Sequence, residues 1–224
     1  MNTASALRRP GVGPAAVVGE EFRMTASDRN TGPPRPALVT PRLVLRGWHV
    51  ADAPDALAIY QHASVTRWLS PAMARVPDRA AMRRLLQQWI AETACLDVAA
   101  GHWAVERRSD GRVIGGASIL PLPPGNDDLE IGWQLHPDFW GRGYAGEAGY
   151  ELANWAFSHD VDELYAVVRP DNTRAAASVR RNGMQWVGET DKYFGTPLQV
   201  FRLRPADLER TAPLGQLPPA YQDD

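Results

Sequence analysis

The sequence predicts an α+β fold, with helices flanking a central, mixed but mostly antiparallel sheet, as a single domain over residues 37–210. Three observations predict it. Two strand patterns, His102–Arg107 and Val113–Leu120, are separated by Ser109-Asp110-Gly111, a favourable hairpin turn. Ahead of them, apolar residues recur at helical spacing, as in Leu85, Leu86, Trp89 and Ile90. A third strand pattern, Leu129–Leu135, leads through Pro137 into Gly141-Arg142-Gly143-Tyr144-Ala145-Gly146 and then into an apolar helix pattern, which supplies one strand–helix–strand crossover.

Residues 1–36 are rich in Ala, Gly and Pro, include Pro33-Pro34-Arg35-Pro36, and follow neither period, so they read as a mobile tail. Arg8-Arg9 suggests a twin-arginine export signal, but the apolar stretch Ala15-Ala16-Val17-Val18 is too short and runs into Glu20-Glu21; a cytoplasmic location is expected. Leu43–Arg46 reads as a strand. Asp52 is placed to cap a helix through Gln61, with Pro54 in its first turn, and Asp78 to cap a second helix to about Ala94. Beyond the three sheet strands, a helix is expected from about Gly143 to Ser158 and a strand over Glu163–Val168. A helix capped by Asp171 or Asn172 and ended by Gly183 comes next, then strands over Trp186–Glu189 and Gln199–Leu203. Residues 211–224, with Pro213, Pro218 and Pro219, read as a second tail.

Composition narrows the function classes. A chain of 224 residues, 44% hydrophobic with a net charge of −2, can bury one substantial core. The near-neutral balance, without a clustered basic stretch, argues against nucleic acid as the main partner, and no apolar run reaches the length of a membrane span. The single cysteine, Cys95, excludes an internal disulfide and any Cys-x-x-Cys metal site; in its apolar helix pattern it reads as a small buried hydrophobe. The five histidines form no i,i+4 pair, so no metal is expected.

The glycine-rich turn carries the chemistry. Glycines let the backbone approach a ligand closely, and the next helix offers its first unpaired N–H groups, at the positive end of its dipole, to a phosphate or pyrophosphate. Gly141, Gly143 and Gly146 have dinucleotide-turn spacing, but no parallel series of βαβ units follows. No Gly-Lys-Ser/Thr ending is present, which removes a Walker-type loop. A tight turn without any ligand is the plain alternative.

Trp140-Gly141-Arg142-Gly143-Tyr144-Ala145, preceded by Leu135-His136-Pro137, resembles the acyl-CoA signature of the GCN5-related N-acetyltransferases, Gln/Arg-x-x-Gly-x-Gly/Ala. Gly143 and Ala145 fit it. Trp140 departs at the first position, and a tryptophan there is similar to the branch that includes the ribosomal-protein alanine N-acetyltransferases. Thr40–Arg46 with Asp52-Ala53 resembles that branch's opening strand and first helix, and Val168–Ala175 with Asn182-Gly183-Met184 its second CoA-contacting element. The resemblance covers residues 37–205. It implies the GNAT fold, acetyl-CoA as co-substrate, an amine acceptor and, as in many relatives, a homodimer.

Strand alternation puts Glu130, Gly132 and Gln134 on one face and Leu129, Ile131, Trp133 and Leu135 on the other. Glu130 therefore faces a floor with no side chain at Gly132, with room for an amine or a water. It reads either as a general base acting through water or as a solvated or ion-paired strand carboxylate. The resemblance implies that backbone N–H groups of Trp133, Gln134 and Leu135 meet the pantetheine arm and the thioester oxyanion. It likewise implies that Arg142, Gly143, Tyr144, Ala145 and Gly146 meet the pyrophosphate and that Asn172 holds the cofactor arm. Helix capping accounts for Asn172 equally. Many relatives place a tyrosine seven residues after that asparagine to protonate the leaving thiolate; here Val179 stands there, leaving Ser178 and Tyr193 as candidate acids. The tryptophans Trp133, Trp140, Trp155 and Trp186 read as core and cofactor-wall packing.

Three functions compete at this stage. An N-acetyltransferase acting on a small amine or a protein N-terminus is favoured over a catalytically inactive acyl-CoA-binding regulatory module and over a nucleotide-phosphate binder. By resemblance, residues 68–76 and 191–197 form the acceptor cleft.

Overall fold

A computed structural model of the chain describes residues 36–210, except 70–72, 74, 98 and 126. The expected tails, 1–36 and 211–224, lie outside the described residues apart from Pro36. Eight strands are present among those residues: β1 (Leu38–Val39), β2 (Leu43–Gly47), β3 (Gly101–Arg107), β4 (Arg112–Pro121), β5 (Leu129–Leu135), β6 (Leu164–Val168), β7 (Gln185–Thr190) and β8 (Leu198–Leu203). The helices are α1 (Ala53–Tyr60), α2 (Ala63–Thr66), α3 (Arg79–Cys95), α4 (Tyr144–Phe157), α5 (Thr173–Arg181) and α6 (Pro205–Glu209). The strands form one sheet in the order β1-β2-β3-β4-β5-β6-β8-β7. Every neighbouring pair is antiparallel except β5 and β6, so the sheet is the mixed, mostly antiparallel one expected.

Local chemistry explains most boundaries. The β3–β4 hairpin turns at Gly111, whose φ of 68° favours glycine. The Asp78 carboxylate accepts from the Ala81 N–H at 2.7 Å and starts α3; Asn172 Oδ1 accepts from the Ala175 N–H at 3.1 Å and starts α5. Asp52 departs from the expected capping role. Its side chain bonds no helix N–H but accepts from Arg46 (2.8 and 3.0 Å) and from the His49 N–H (2.8 Å), tying β2 to the single helical turn before α1. The short elements β1 and α2 have too few residues to show a period in sequence.

The sheet separates two apolar layers. On one side α4 covers Leu43, Leu45, Trp103, Ile119 and Ile131, with Ala148, Leu152 and Ala156 as its buried stripe. On the other, α1 and α3 pack Ile59, Met82, Leu86 and Trp89 against Trp48 and Ala104. The approach of α1 requires Gly116, because a Cβ there would collide with the Tyr60 hydroxyl and lie 2.9 Å from the Trp48 ring. Two expectations about packing are corrected. Cys95 is exposed, since the buried stripe of α3 runs through Met82, Leu86 and Trp89 and Cys95, its last residue, falls off that stripe. Trp186 is 54% exposed, because β7 is the edge strand and has only β8 beside it.

Candidate active site

β5 and β6 touch at a single register position, Glu130 opposite Tyr165, and then diverge. Main-chain groups along β5 point alternately to its two neighbours. The His136 N–H donates to the Ile114 carbonyl at 2.9 Å and the Leu122 N–H to the Asp128 carbonyl at 2.8 Å, so even-numbered residues of β5 face β4. The main chains of Trp133 and Leu135 consequently face the split, with no β6 residue opposite. Gln134 departs from the expectation set for it: its N–H is directed at β4, and its side-chain Oε1 accepts from the Tyr60 hydroxyl at 3.4 Å. The Leu135 carbonyl is taken by the Trp140 indole N–H at 2.8 Å, which holds the turn after β5 close to the split.

A cleft of about 1590 Å³ opens at this split, walled by α1–α3 on one side and by the start of α4 and α5 on the other. Gly143, Tyr144, Ala145 and Gly146 line it. Gly141 and Gly143 have φ values of 73° and 80°, the left-handed conformation that lets the backbone turn sharply into α4. Unlike α3 and α5, α4 has no side-chain cap, so the first N–H groups of a 14-residue helix are left without a protein side-chain acceptor. The Arg142 side chain is exposed and outside the cleft wall. Arg42 braces the turn from β2: its guanidinium donates to the Arg142 carbonyl at 2.9 Å and to Glu147 at 2.6 Å and lies 4.7 Å from the centre of the Tyr144 ring. Its role was not visible in sequence, where a hundred residues separate the partners.

Glu130 lies on the α1/α3 face beside the open space over Gly132, where an added Cβ would have only Ser118 Oγ at 3.8 Å and Gln134 Nε2 at 4.0 Å near it. Burial pushes the Glu130 carboxyl up from 4.5 to about 7, against the opposing pull of the Val167 N–H. A carboxyl poised there is divided between acid and base forms at neutral pH. Tyr60, Trp89 and His102 complete this wall. The His102 ring stacks on Trp89 at 5.0 Å and its Nε2 is 3.3 Å from Glu92; burial lowers its pKa although Glu92 opposes the shift, so the ring is neutral at neutral pH. Sequence reading missed these three because an aromatic at helical or strand spacing looks the same whether it meets a core or a cleft.

The remaining candidates divide. Ser178 and Asn172 line the cleft, Asn172 while capping α5; Val179 lines it in the place of the expected tyrosine. Tyr193 is 5% exposed and packs with Leu122, Leu198 and Val200, its hydroxyl donating to Asp128 Oδ2 at 2.7 Å. The loop instead presents Phe194, held at φ 58°, to the cleft. Asn182 also lines the cleft, and its buried Nδ2 has no acceptor in the protein. The uncapped α4 N–H groups suit an anionic ligand such as the pyrophosphate of a CoA ester. Among the described residues no group of His, Cys, Asp and Glu is arranged to hold a metal ion, and no helix is long and apolar enough to cross a membrane.

Comparison with known proteins agrees with this geometry. The profile of the acetyltransferase (GNAT) domain matches residues 42–185. An uncharacterized N-acetyltransferase of Bacillus subtilis (strain 168), YoaA, is 27% identical over 167 residues, covering 72% of this chain and 92% of its own. Among solved structures, an acetyltransferase from Agrobacterium tumefaciens superposes with a TM-score of 0.61 at 25% identity, over 75% of this chain and 94% of that one. Mycobacterium smegmatis RimJ, solved with CoA-disulfide, shares the fold at a TM-score of 0.62 and 20% identity, over 74% and 83% of the two chains. The molecule is by class an N-acetyltransferase. Since the profile covers more than half of the 224 residues, the chain belongs to the GNAT acetyltransferase family.

Proposed function

We propose that the chain transfers the acetyl group of acetyl-CoA to a primary amine by direct attack of the amine on the thioester. The observation that carries this reading is the uncapped, glycine-led start of α4, which lines the cleft at the one place where the sheet parts. The N–H groups of Gly143, Tyr144, Ala145 and Gly146 would bind the pyrophosphate. The parted strands leave the Trp133 main chain and the Leu135 N–H free to pair with the extended pantetheine arm, as an added strand would, the Leu135 carbonyl being held by the Trp140 indole. Acetyl-CoA supplies an activated acyl carbon. The chain supplies a base, Glu130, which removes a proton from the acceptor ammonium through water in the space over Gly132. The Trp133 N–H, directed into the split, would meet the charge that develops on the carbonyl oxygen. Ser178 or solvent would return a proton to the thiolate. That RimJ was solved with a CoA compound supports CoA use; the ribosomal-protein alanine branch remains a candidate for the acceptor.

Calorimetric titration with acetyl-CoA, with ATP and NAD as controls, tests the reading. Saturable binding of acetyl-CoA alone, followed by amine-dependent release of free thiol, is expected. Binding without thiol release to any amine would instead favour an inactive acyl-CoA-binding module.

A further inference from the structure

We infer that the acceptor carries a carboxylate or comparable anionic group beside its amine, received by the arginine-bearing wall that α2 and α3 present to the cleft. The inference rests on the reading of this cleft as the site of acetyl transfer. Arg67 directly follows α2, Arg75 lies in the segment before α3, and Arg84 stands in the first half of α3; all three line the cleft. Several guanidinium groups elsewhere are neutralised by carboxylates, Arg42 by Glu147, Arg46 by Asp52 and Glu106, and Arg107 by Asp110. On this wall Arg67, Arg75 and Arg84 have no acidic partner among the described residues.

Arg67 is held in place. The Arg169 side chain, reaching over from the loop after β6, donates to the carbonyls of Arg67 at 3.1 Å and Leu69 at 3.4 Å, and so pins the turn after α2 to the opposite side of the cleft. The Arg67 guanidinium lies 4.8 Å from the centre of the Trp68 ring. Stacking uses the flat face of a guanidinium and leaves its N–H edge free, the arrangement in which arginine takes a carboxylate or phosphate through two parallel hydrogen bonds. Among the described residues, the carboxylates on this side of the cleft are two against three guanidinium groups: Glu92, which accepts from Gln88 at 2.7 Å and faces His102 at 3.3 Å, and Glu130, the proposed base. With a formal charge of −2 for the whole chain, this positive wall is not the overflow of a basic protein.

The phosphates of a CoA ester do not account for these three side chains. The uncapped N–H groups belong to α4, where Arg42 braces the turn, and the arginines that line the cleft from the neighbouring α5 are Arg174, 4.1 Å from the centre of the Trp140 ring, and Arg181. α5 packs on α4 and β6, whereas α3 packs on α1 and β3, which puts Arg84 on the Glu130 side of the sheet. Polycationic amines such as spermidine would meet like charge there, and acidic amines complementary charge.

The test uses the full chain. Acetyl-CoA affinity is measured by calorimetry, and free-thiol release is followed with glutamate, glutaminamide, spermidine, and two short peptides with free N-termini, one acidic and one basic. Acidic acceptors are expected to exceed neutral and cationic ones by about 10-fold or more in kcat/KM, and Arg67→Ala or Arg84→Ala to remove about 10-fold of that preference with acetyl-CoA affinity unchanged. Glutamate against the acidic peptide separates a small-molecule source from a protein N-terminus. Equal turnover of neutral or cationic amines, failure of both acidic acceptors to react, or arginine variants that weaken acetyl-CoA binding instead would each overturn the inference. Failure of the unaltered chain to bind acetyl-CoA would bring down the proposed function itself, a result visible before any acceptor is added.

Discussion

Replacing Glu130 by Gln should move activity and stability in opposite directions. In the folded protein the carboxyl titrates near 7 because it is buried; in the unfolded chain it titrates near 4.5. Between those values the folded state holds a proton that the unfolded state has released, so this group's contribution to stability falls as pH rises from 4.5 to 7 and then levels off. At 1.36 kcal/mol for each tenfold change, the rise amounts to about 3 kcal/mol of destabilisation at pH 8 and none below pH 4.5. The amide of the Glu130→Gln protein would carry no charge at either pH. Urea unfolding should therefore find that variant more stable by up to about 3 kcal/mol at pH 8, a gain of roughly 6–12 °C in Tm, with the gap closing as pH falls toward 4.5. In the same buffers, kcat/KM of the unaltered protein should rise tenfold per pH unit below about 7 and flatten above it. The variant should be slower by about 10²–10⁴ and lack that inflection. Equal stabilities at pH 8, or a gain that persists unchanged at pH 4.5, would refute the claim that burial raises the pKa of the carboxyl. Full activity in the variant would refute its role as base.

Three further outcomes follow from contacts around the cleft. Gly149→Ala should lower the urea midpoint, costing about 1–3 kcal/mol, because the new Cβ would collide with Asn182 Nδ2 and lie 2.9 Å from the Trp133 ring; an unchanged midpoint would mean that α4 is free to shift. Tyr193→Phe should keep full turnover while losing about 1 kcal/mol of stability from the hydroxyl bond to Asp128, and a large fall in kcat would return Tyr193 to the catalytic candidates. Arg42→Ala should raise the KM for acetyl-CoA about 10-fold with little change in kcat, since its guanidinium braces the Arg142 carbonyl and Glu147; steady-state kinetics with acetyl-CoA varied would show it.

Features that a few neighbouring residues encode were legible in the chain alone. The two-residue period of Leu129–Leu135 sets Glu130 and Gln134 on one face, and the structure keeps them there. Asp78 and Asn172 cap the helices expected of them, the Asp110-Gly111 turn closes its hairpin, and the glycines before Tyr144 turn the chain into α4. Each of these follows from backbone preferences and hydrogen bonds spanning only a few residues.

Which of those features meet is a property of the assembled fold. The parting of β5 and β6 after Glu130 and Tyr165 is a relation between strands separated by the whole of α4, so no short window of sequence contains it. The β4–β5 register directs the Gln134 main chain to β4 and the Trp133 main chain to the other side, and the parting is what leaves the latter open to the cleft. Arg42 reaches the glycine turn, and Tyr193 its partner Asp128, through the sheet order rather than through spacing along the chain. Asp52, Cys95 and Trp186 differ from their sequence readings for the same reason: a side chain's partner or exposure is set by whatever the rest of the fold brings beside it, and periodicity specifies a face without saying what covers that face.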